Sequence, residues 1–180
     1  MNVPTTAIAT AAKTASAARM LSAWRWFALA LGVVIADQVT KALVLARFVL
    51  GERVELTGFF NMVLVYNKGA AFSFLSDAGG WQTPALVVFA VVAIAVVGTF
   101  IVRSPGRLML CTGLALILGG ALGNLIDRVR FGQVVDFLDF HAAGWHWPAF
   151  NVADSAITVG AALLILEGFV NREGRARASP

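Results

Sequence analysis

Charge is what this sequence has least of: only 13% of its 180 residues are Asp, Glu, Lys or Arg. A soluble domain carries about a quarter. With 59% hydrophobic residues and a mean hydropathy of +0.80, the composition is that of a membrane protein. Cysteine is almost absent as well. Cys111 stands alone in an apolar run, which excludes a disulfide framework and a cysteine-based metal site and leaves it a small packing residue. His141 and His146 are the only histidines and form no HExxH, so a zinc site is not expected. GxSxG, a phosphate loop and GxGxxG are all missing, so neither a serine nucleophile nor nucleotide binding has support. The 14 basic and 10 acidic residues give a net charge of +4. Orientation signals of a membrane protein explain that excess better than nucleic acid does.

What the chain does have is apolar length. Trp26 to Leu45, Ala85 to Val102, Leu108 to Ile126 and Val152 to Val170 are the expected spans. The second is uninterrupted, and at ~1.5 Å per residue it is about 27 Å long, enough to cross a hydrocarbon core. Residues 47–82 read differently. Val54 and Leu56 alternate with polar neighbours, Thr57-Gly58 suggests a turn, Phe59 to Tyr66 is strand-like, and Asn67-Lys68-Gly69 supplies turn chemistry. This predicts a small β cradle outside the bilayer, with a short segment, Ala70 to Leu75, returning towards it. Residues 127–150 are too broken to cross and read as an outer loop whose Trp145 and Trp147 suit the interfacial belt. Gly119, Gly120 and Gly123 predict close helix approach along the third span. Residues 1–22, rich in Ala and Thr, read as a disordered basic lead-in, 23–171 as one four-helix domain, and 172–180 as a basic tail. The fold class expected is an all-α polytopic membrane protein, four transmembrane helices with a small extracytoplasmic β cradle and an outer loop or helix.

Four spans put both ends of the chain on one side. Lys13, Arg19, Arg25, Arg103, Arg107, Arg172, Arg175 and Arg177 then share that side, with Glu173 the one clear acid among them. The positive-inside rule makes it cytoplasmic. Asp37 and Lys41, late in the first span, fall in its outer half, as do Asp127 at the end of the third span and Asp154 at the start of the fourth. Charge within or beside a membrane is costly, and its convergence at one outer interface marks a functional site.

The residues from Gly119 to Ser155 hold four acids, Asp127, Asp136, Asp139 and Asp154. Two carboxylates held close share a proton, the charged one activating water while the neutral one polarises a carbonyl. That chemistry suits peptide hydrolysis without metal or cofactor. Which two aspartates form the pair does not follow from the residues alone. Asp127 beside Arg128 reads as a helix-end ion pair, Asp139 as a solvated loop charge, and Asp154 as a partner of Asn151 in a capping arrangement. Asp136, inside the apolar run Val134-Val135-Asp136-Phe137, is harder to explain that way. Asp37 and Lys41, four residues apart, are either a self-neutralising pair or a polar pillar facing a wet cavity. A small proton-coupled transporter using these acids as a relay is the competing reading, and a lipid-binding scaffold a second. The transporter would need polar residues along the inner half of the spans, which is nearly bare.

Five blocks of this chain resemble the bacterial lipoprotein signal peptidases, or signal peptidase II family. They are Asp37-Gln38-Val39-Thr40-Lys41, Asn67-Lys68-Gly69-Ala70-Ala71-Phe72, Gly123-Asn124-Leu125-Ile126-Asp127-Arg128, Gly132-Gln133-Val134-Val135-Asp136-Phe137 and Phe150-Asn151-Val152-Ala153-Asp154. The resemblance implies a metal-independent and cofactor-independent aspartic endopeptidase of the bacterial inner membrane, with Asp136 and Asp154 as the catalytic pair. Asp37, Lys41, Asn67, Gly69, Asn124, Asp127, Arg128 and Asn151 would bind substrate or support the site. The implied substrate is a diacylglyceryl-modified prolipoprotein, cut before its lipid-bearing cysteine. Membrane lipid and the inhibitory cyclic peptide globomycin are the other implied partners, with no nucleic acid and a monomer as the working form. The resemblance also implies four helices and a small outer β cradle.

Overall fold

The computed structural model describes the backbone of residues 5–69 and 81–177 and the side chains of residues 22–69 and 81–170. Four helices carry the chain: α1 (Thr5–Arg47), α2 (Gln82–Arg103), α3 (Leu108–Phe131) and α4 (Val152–Arg177). Each contains a segment long and apolar enough to cross a membrane, namely Ser22–Arg47, Gln82–Arg103, Leu108–Phe131 and Val152–Val170. These match the four expected spans, with α3 running five residues further than expected, to Phe131. Helix α1 begins at Thr5, inside the stretch expected to be a disordered lead-in. That stretch is Ala-rich and free of glycine from Thr5 to Ser22, so nothing in it breaks a helix that the apolar span nucleates.

Helix α3 is the centre of the bundle and packs against α1, α2 and α4. Its glycines explain how. A Cβ on Gly119 would lie 2.6 Å from the Ala30 carbonyl of α1, and one on Gly120 would strike the Ala153 carbonyl of α4. Gly113 and Gly160 face each other in the same way, so neither the α1–α3 nor the α3–α4 contact tolerates a larger residue at these points. The apolar core between helices gathers Ala23, Trp26, Ala30, Ile101, Cys111, Leu114, Ala115 and Leu118. Helix α2 buries only Gln82 and Ile101 and leaves Val88, Phe89, Val91, Val92 and Phe100 exposed, as a lipid-facing helix must.

The end of the bundle away from the 104–107 turn is closed by an antiparallel sheet in the order β1 (Arg53–Thr57), β2 (Phe60–Asn67), β3 (Val134–Ala142), β4 (Trp145–His146). The described residues are therefore not all-α. Nor is 127–150 a loop, because it holds the last turn of α3 and two of the four strands. Gly132, at φ 72°, ends α3 in the left-handed conformation and turns the chain straight into β3. Strand β3 pairs with β2 with Asn67 opposite Val134, Val65 opposite Asp136 and Asn61 opposite Asp139. After β4 the chain comes back to β3: Phe150 exchanges backbone hydrogen bonds of 2.8 and 3.1 Å with Leu138. A second apolar cluster of Val44, Leu64, Val135 and Phe137 seats the sheet on the end of α1. The expected segment from Ala70 to Leu75 lies outside the described residues.

Candidate active site

Lys41 and Asp37 occupy one face of α1, one turn apart, with 2.9 Å between Nζ and Oδ2. Lys41 is 2% exposed and Asp37 fully buried. The ammonium also reaches Asp127 Oδ2 at 2.8 Å and donates to Asn124 Oδ1 at 3.0 Å, both on α3. Its three protons thus meet three acceptors, which is what a buried lysine requires. Asp37 and Lys41 are the ion pair of the first reading, extended to Asp127 and Asn124, and both side chains are buried and do not face a wet cavity.

Asp127 is not paired with Arg128, its expected partner. Consecutive helical residues point about 100° apart, and the Asp127 carboxylate turns inward to Lys41. It also accepts from Gln38 Nε2 at 2.9 Å and from the Val135 backbone N–H at 3.1 Å. Asp127 therefore fastens the first residues of β3 to α3, immediately before Asp136. Arg128 instead donates to the Gly69 carbonyl at 3.0 Å and lies in the electrostatic field of Asp154, Asp136 and Asp127.

The fourth helix begins inside this network. Asn151 is its cap: Oδ1 accepts the Asp154 N–H at 2.9 Å, and Asp154 Oδ2 accepts the Asn151 N–H at 3.3 Å. This reciprocal pair is the capping arrangement read from the spacing. A further first-turn donor, the Ala153 N–H, is taken by Asp37 Oδ1 at 3.0 Å, so α1 holds α4 by its positive end. Because Phe150 is paired to Leu138, Asn151 arrives beside Asp136 and donates from Nδ2 to Asp136 Oδ1 at 2.7 Å. Asn124 joins the other acid, donating from Nδ2 to Asp154 Oδ1 at 2.8 Å. Asp136 and Asp154 are thus bonded to one and the same residue, Asn151. The capping role of Asp154 does not exclude a chemical one, since capping engages only Oδ2, and Oδ1, with one bond from Asn124, keeps a second lone pair.

Asp136 is 2% exposed, while Asp154 is partly open. Burial, and then the negative charge of Asp154, push the Asp136 carboxyl up to about 7, against the pull of hydrogen bonds from Asn67 and Asn151 and of the Lys41 charge. Asn67 is well placed for its part. Its Oδ1 accepts the Gly69 N–H at 2.9 Å, which leaves the amide donor for Asp136, two residues along β3 from its strand partner Val134.

All ten site residues named from the sequence meet at this end of the bundle. One that was not singled out belongs with them. Gln38 donates from Nε2 to Asp127 Oδ1 at 2.9 Å and to Asp37 Oδ2 and the Gly123 carbonyl, each at 3.2 Å. A polar residue beside Asp37 in an otherwise apolar helix was the signal for it. Asp139 stands apart. It is not a solvated loop charge but is 3% exposed, bonded by Asn61 at 2.8 Å and by His146 at 2.9 Å. Burial raises its carboxyl, yet those bonds and the charge of Arg53 outweigh burial and hold it below the ordinary range. Among the described residues no group of three His, Cys, Asp or Glu is arranged to hold a metal ion.

Fold and cluster together define a polytopic membrane protein with a polar, aspartate-rich cluster set into one end of its helix bundle. Residues 29–170 match the family model described as signal peptidase (SPase) II. The chain is 56% identical to a lipoprotein signal peptidase of Paraburkholderia phytofirmans, over 88% of this chain and 91% of that one. It is also 56% identical to a lipoprotein signal peptidase of Cupriavidus necator, over 79% and 81%. Of solved structures, one bacterial membrane enzyme is similar at a TM-score of 0.76 and 32% identity, covering 83% of this chain and 90% of that one. A second is similar at 0.69 and 33%, covering 79% and 91%. The chain belongs to the signal peptidase II family and is a bacterial membrane protein.

Proposed function

We propose that this protein removes the signal peptide from diacylglyceryl-modified prolipoproteins, cutting before the lipid-bearing cysteine, and that Asp136 and Asp154 carry out the cleavage. The observation that carries the reading is the pair itself, two carboxyls on separate elements tied to Asn151, with Asp136 raised to about 7. One proton is shared between them, and they titrate as a unit. The ionised member takes a proton from water as its oxygen attacks the scissile carbonyl carbon. The protonated member hydrogen-bonds the carbonyl oxygen and transfers its proton to it, giving a neutral tetrahedral diol. Proton transfer to the amide nitrogen then lets the C–N bond break, leaving a carboxyl on the signal peptide and a free amine on the cysteine. No metal or cofactor takes part.

Asn67, Asn124 and Asn151 orient the carboxyls, and Arg128 with Gly69 lines the approach. Asp37, Lys41, Gln38 and Asp127 lock α1, α3, β3 and α4 together beneath them. The positive-inside rule puts this end of the bundle at the periplasmic face of the inner membrane, with both ends of the chain cytoplasmic. A lipidated cysteine and its preceding signal helix present their junction at that depth. Globomycin would occupy the space between the two acids, and the working form is a monomer. Family membership leaves the transporter reading without support. Purified protein incubated with a lipidated precursor, with and without globomycin, tests the activity. Asp136→Asn and Asp154→Asn test the pair: each is expected to abolish cleavage in a protein that still inserts, and residual cleavage at the wild-type rate in either would refute the assignment.

A further inference from the structure

At the opposite end of the bundle, a groove of about 400 Å3 runs between α1 and α2, lined by Phe27 on one side and Ile94, Gly98, Thr99 and Arg103 on the other. From Ile94 to Arg103 the helix rises roughly 14 Å, the depth of one leaflet's hydrocarbon. The groove is apolar along its length. Thr99 turns its hydroxyl to the Ala95 carbonyl at 2.8 Å, and a Cβ on Gly98 would meet nothing within 4 Å.

Its mouth is cationic. The Pro105 carbonyl accepts from Arg25 at 3.0 Å and from the Trp26 indole at 3.1 Å, which sets residues 25–26 of α1 level with the end of α2. Trp24, 67% exposed, marks the same level as the interfacial belt. Arg107 is neutralised by Glu167. Arg25 and Arg103 have no acidic partner among the described residues. Two guanidinium groups that meet no carboxylate among the described residues, Arg25 held by the Pro105 carbonyl and the Trp26 ring and Arg103 exposed, at head-group depth above an acyl-length slot, match a phosphodiester with a hydrocarbon tail. They do not suit a zwitterionic head group equally well, because its ammonium would be repelled.

We propose that this groove binds one anionic phospholipid of the adjoining leaflet, its phosphodiester on Arg103 and an acyl chain over Gly98 against Phe27. The site is remote from the aspartates and independent of the proposed cleavage. The test is thermal unfolding and native mass spectrometry of the purified full chain in detergent, titrated with phosphatidylglycerol or with phosphatidylcholine. Phosphatidylglycerol is expected to be retained and to raise the unfolding temperature, and phosphatidylcholine to do neither. Arg103→Gln should weaken phosphatidylglycerol about fivefold, the factor worth one basic residue at an anionic surface. Gly98→Leu, whose Cβ meets nothing within 4 Å and whose longer side chain would enter the groove, should abolish retention. Arg130→Gln, an exposed charge at the other end of α3, should leave it unchanged. Equal response to both lipids, unaltered binding in both groove variants, or equal weakening by Arg130→Gln would overturn the proposal.

Discussion

Replacing Asp136 by Asn should shift the stability of the protein by an amount that becomes more favourable as pH rises. A buried carboxyl raised from 3.8 to about 7 is a group that the folded state holds neutral at a pH where the unfolded chain ionises it. Below about pH 4 both states are protonated and the raised value costs nothing. As pH rises the unfolded state loses its proton first, so folding stability falls until the folded carboxyl also ionises near 7. The full cost above that point is about 1.4 kcal/mol for each unit of the rise, or roughly 4 kcal/mol. Asn is isosteric with the neutral acid and does not titrate; its one oxygen can accept the 2.7 Å bond from Asn151, while its NH2 leaves the Asn67 donor without an acceptor, a cost that is the same at every pH. The stability of the variant relative to wild type should therefore rise steadily from pH 4 to pH 8. For a chain of this length that rise is on the order of ten degrees in unfolding temperature. Thermal unfolding of both proteins in one detergent across that range is the assay. A difference that is constant with pH, or that shrinks as pH rises, would refute the claim that burial and the Asp154 charge keep this carboxyl neutral.

The same proton governs rate. Turnover of a lipidated peptide should fall above about pH 7 as the pair loses its shared proton, and a rate still climbing at pH 9 would contradict the sharing. Lys41→Met would leave Asp37 and Asp127 buried without their common cation, a loss of about 3–5 kcal/mol for a broken buried pair. Chemical unfolding in micelles should show it as a large fall in midpoint. Gly123→Ala would set a methyl 2.5 Å from Asp37 Oδ2, whereas Gly168→Ala meets nothing within 4 Å. The first should destabilise and cut activity, and the second should be neutral or stabilise by up to about 1 kcal/mol; equal behaviour would sink the packing argument.

Helices were legible in this sequence because lipid demands long apolar runs, and all four appear where such runs lie. Strand β3 was not. Val134 to Phe137 are buried on both faces, so the alternation that betrays a half-buried strand is missing, and the partner β2 lies some 70 residues earlier. The polar cluster was legible as a list of residues but not as a wiring diagram. Asp127 next to Arg128 suggested the wrong partner because sequence neighbours are not helix-face neighbours, and its actual cation sits on another helix. Asp139 looked solvated only while its segment looked like a loop; once in β3, it faces Asn61 across the ladder. Glu167 gave no sign of reaching back to Arg107, since that contact depends on how α3 and α4 are packed.

The network at the aspartates draws on α1, β2, α3, β3 and the first turn of α4, so it is complete only once the chain from Asp37 to Asp154 is in place. While the ribosome has yet to deliver Asn151, the amide of Asn124 has no Asp154 to hold, Asp37 has no helix end to cap, and Asp136 lacks its 2.7 Å bond from Asn151. A half-synthesised chain, however well its first three spans have entered the bilayer, carries its acids as scattered charges. Insertion of the fourth span is thus the assembly step that makes the two carboxyls neighbours.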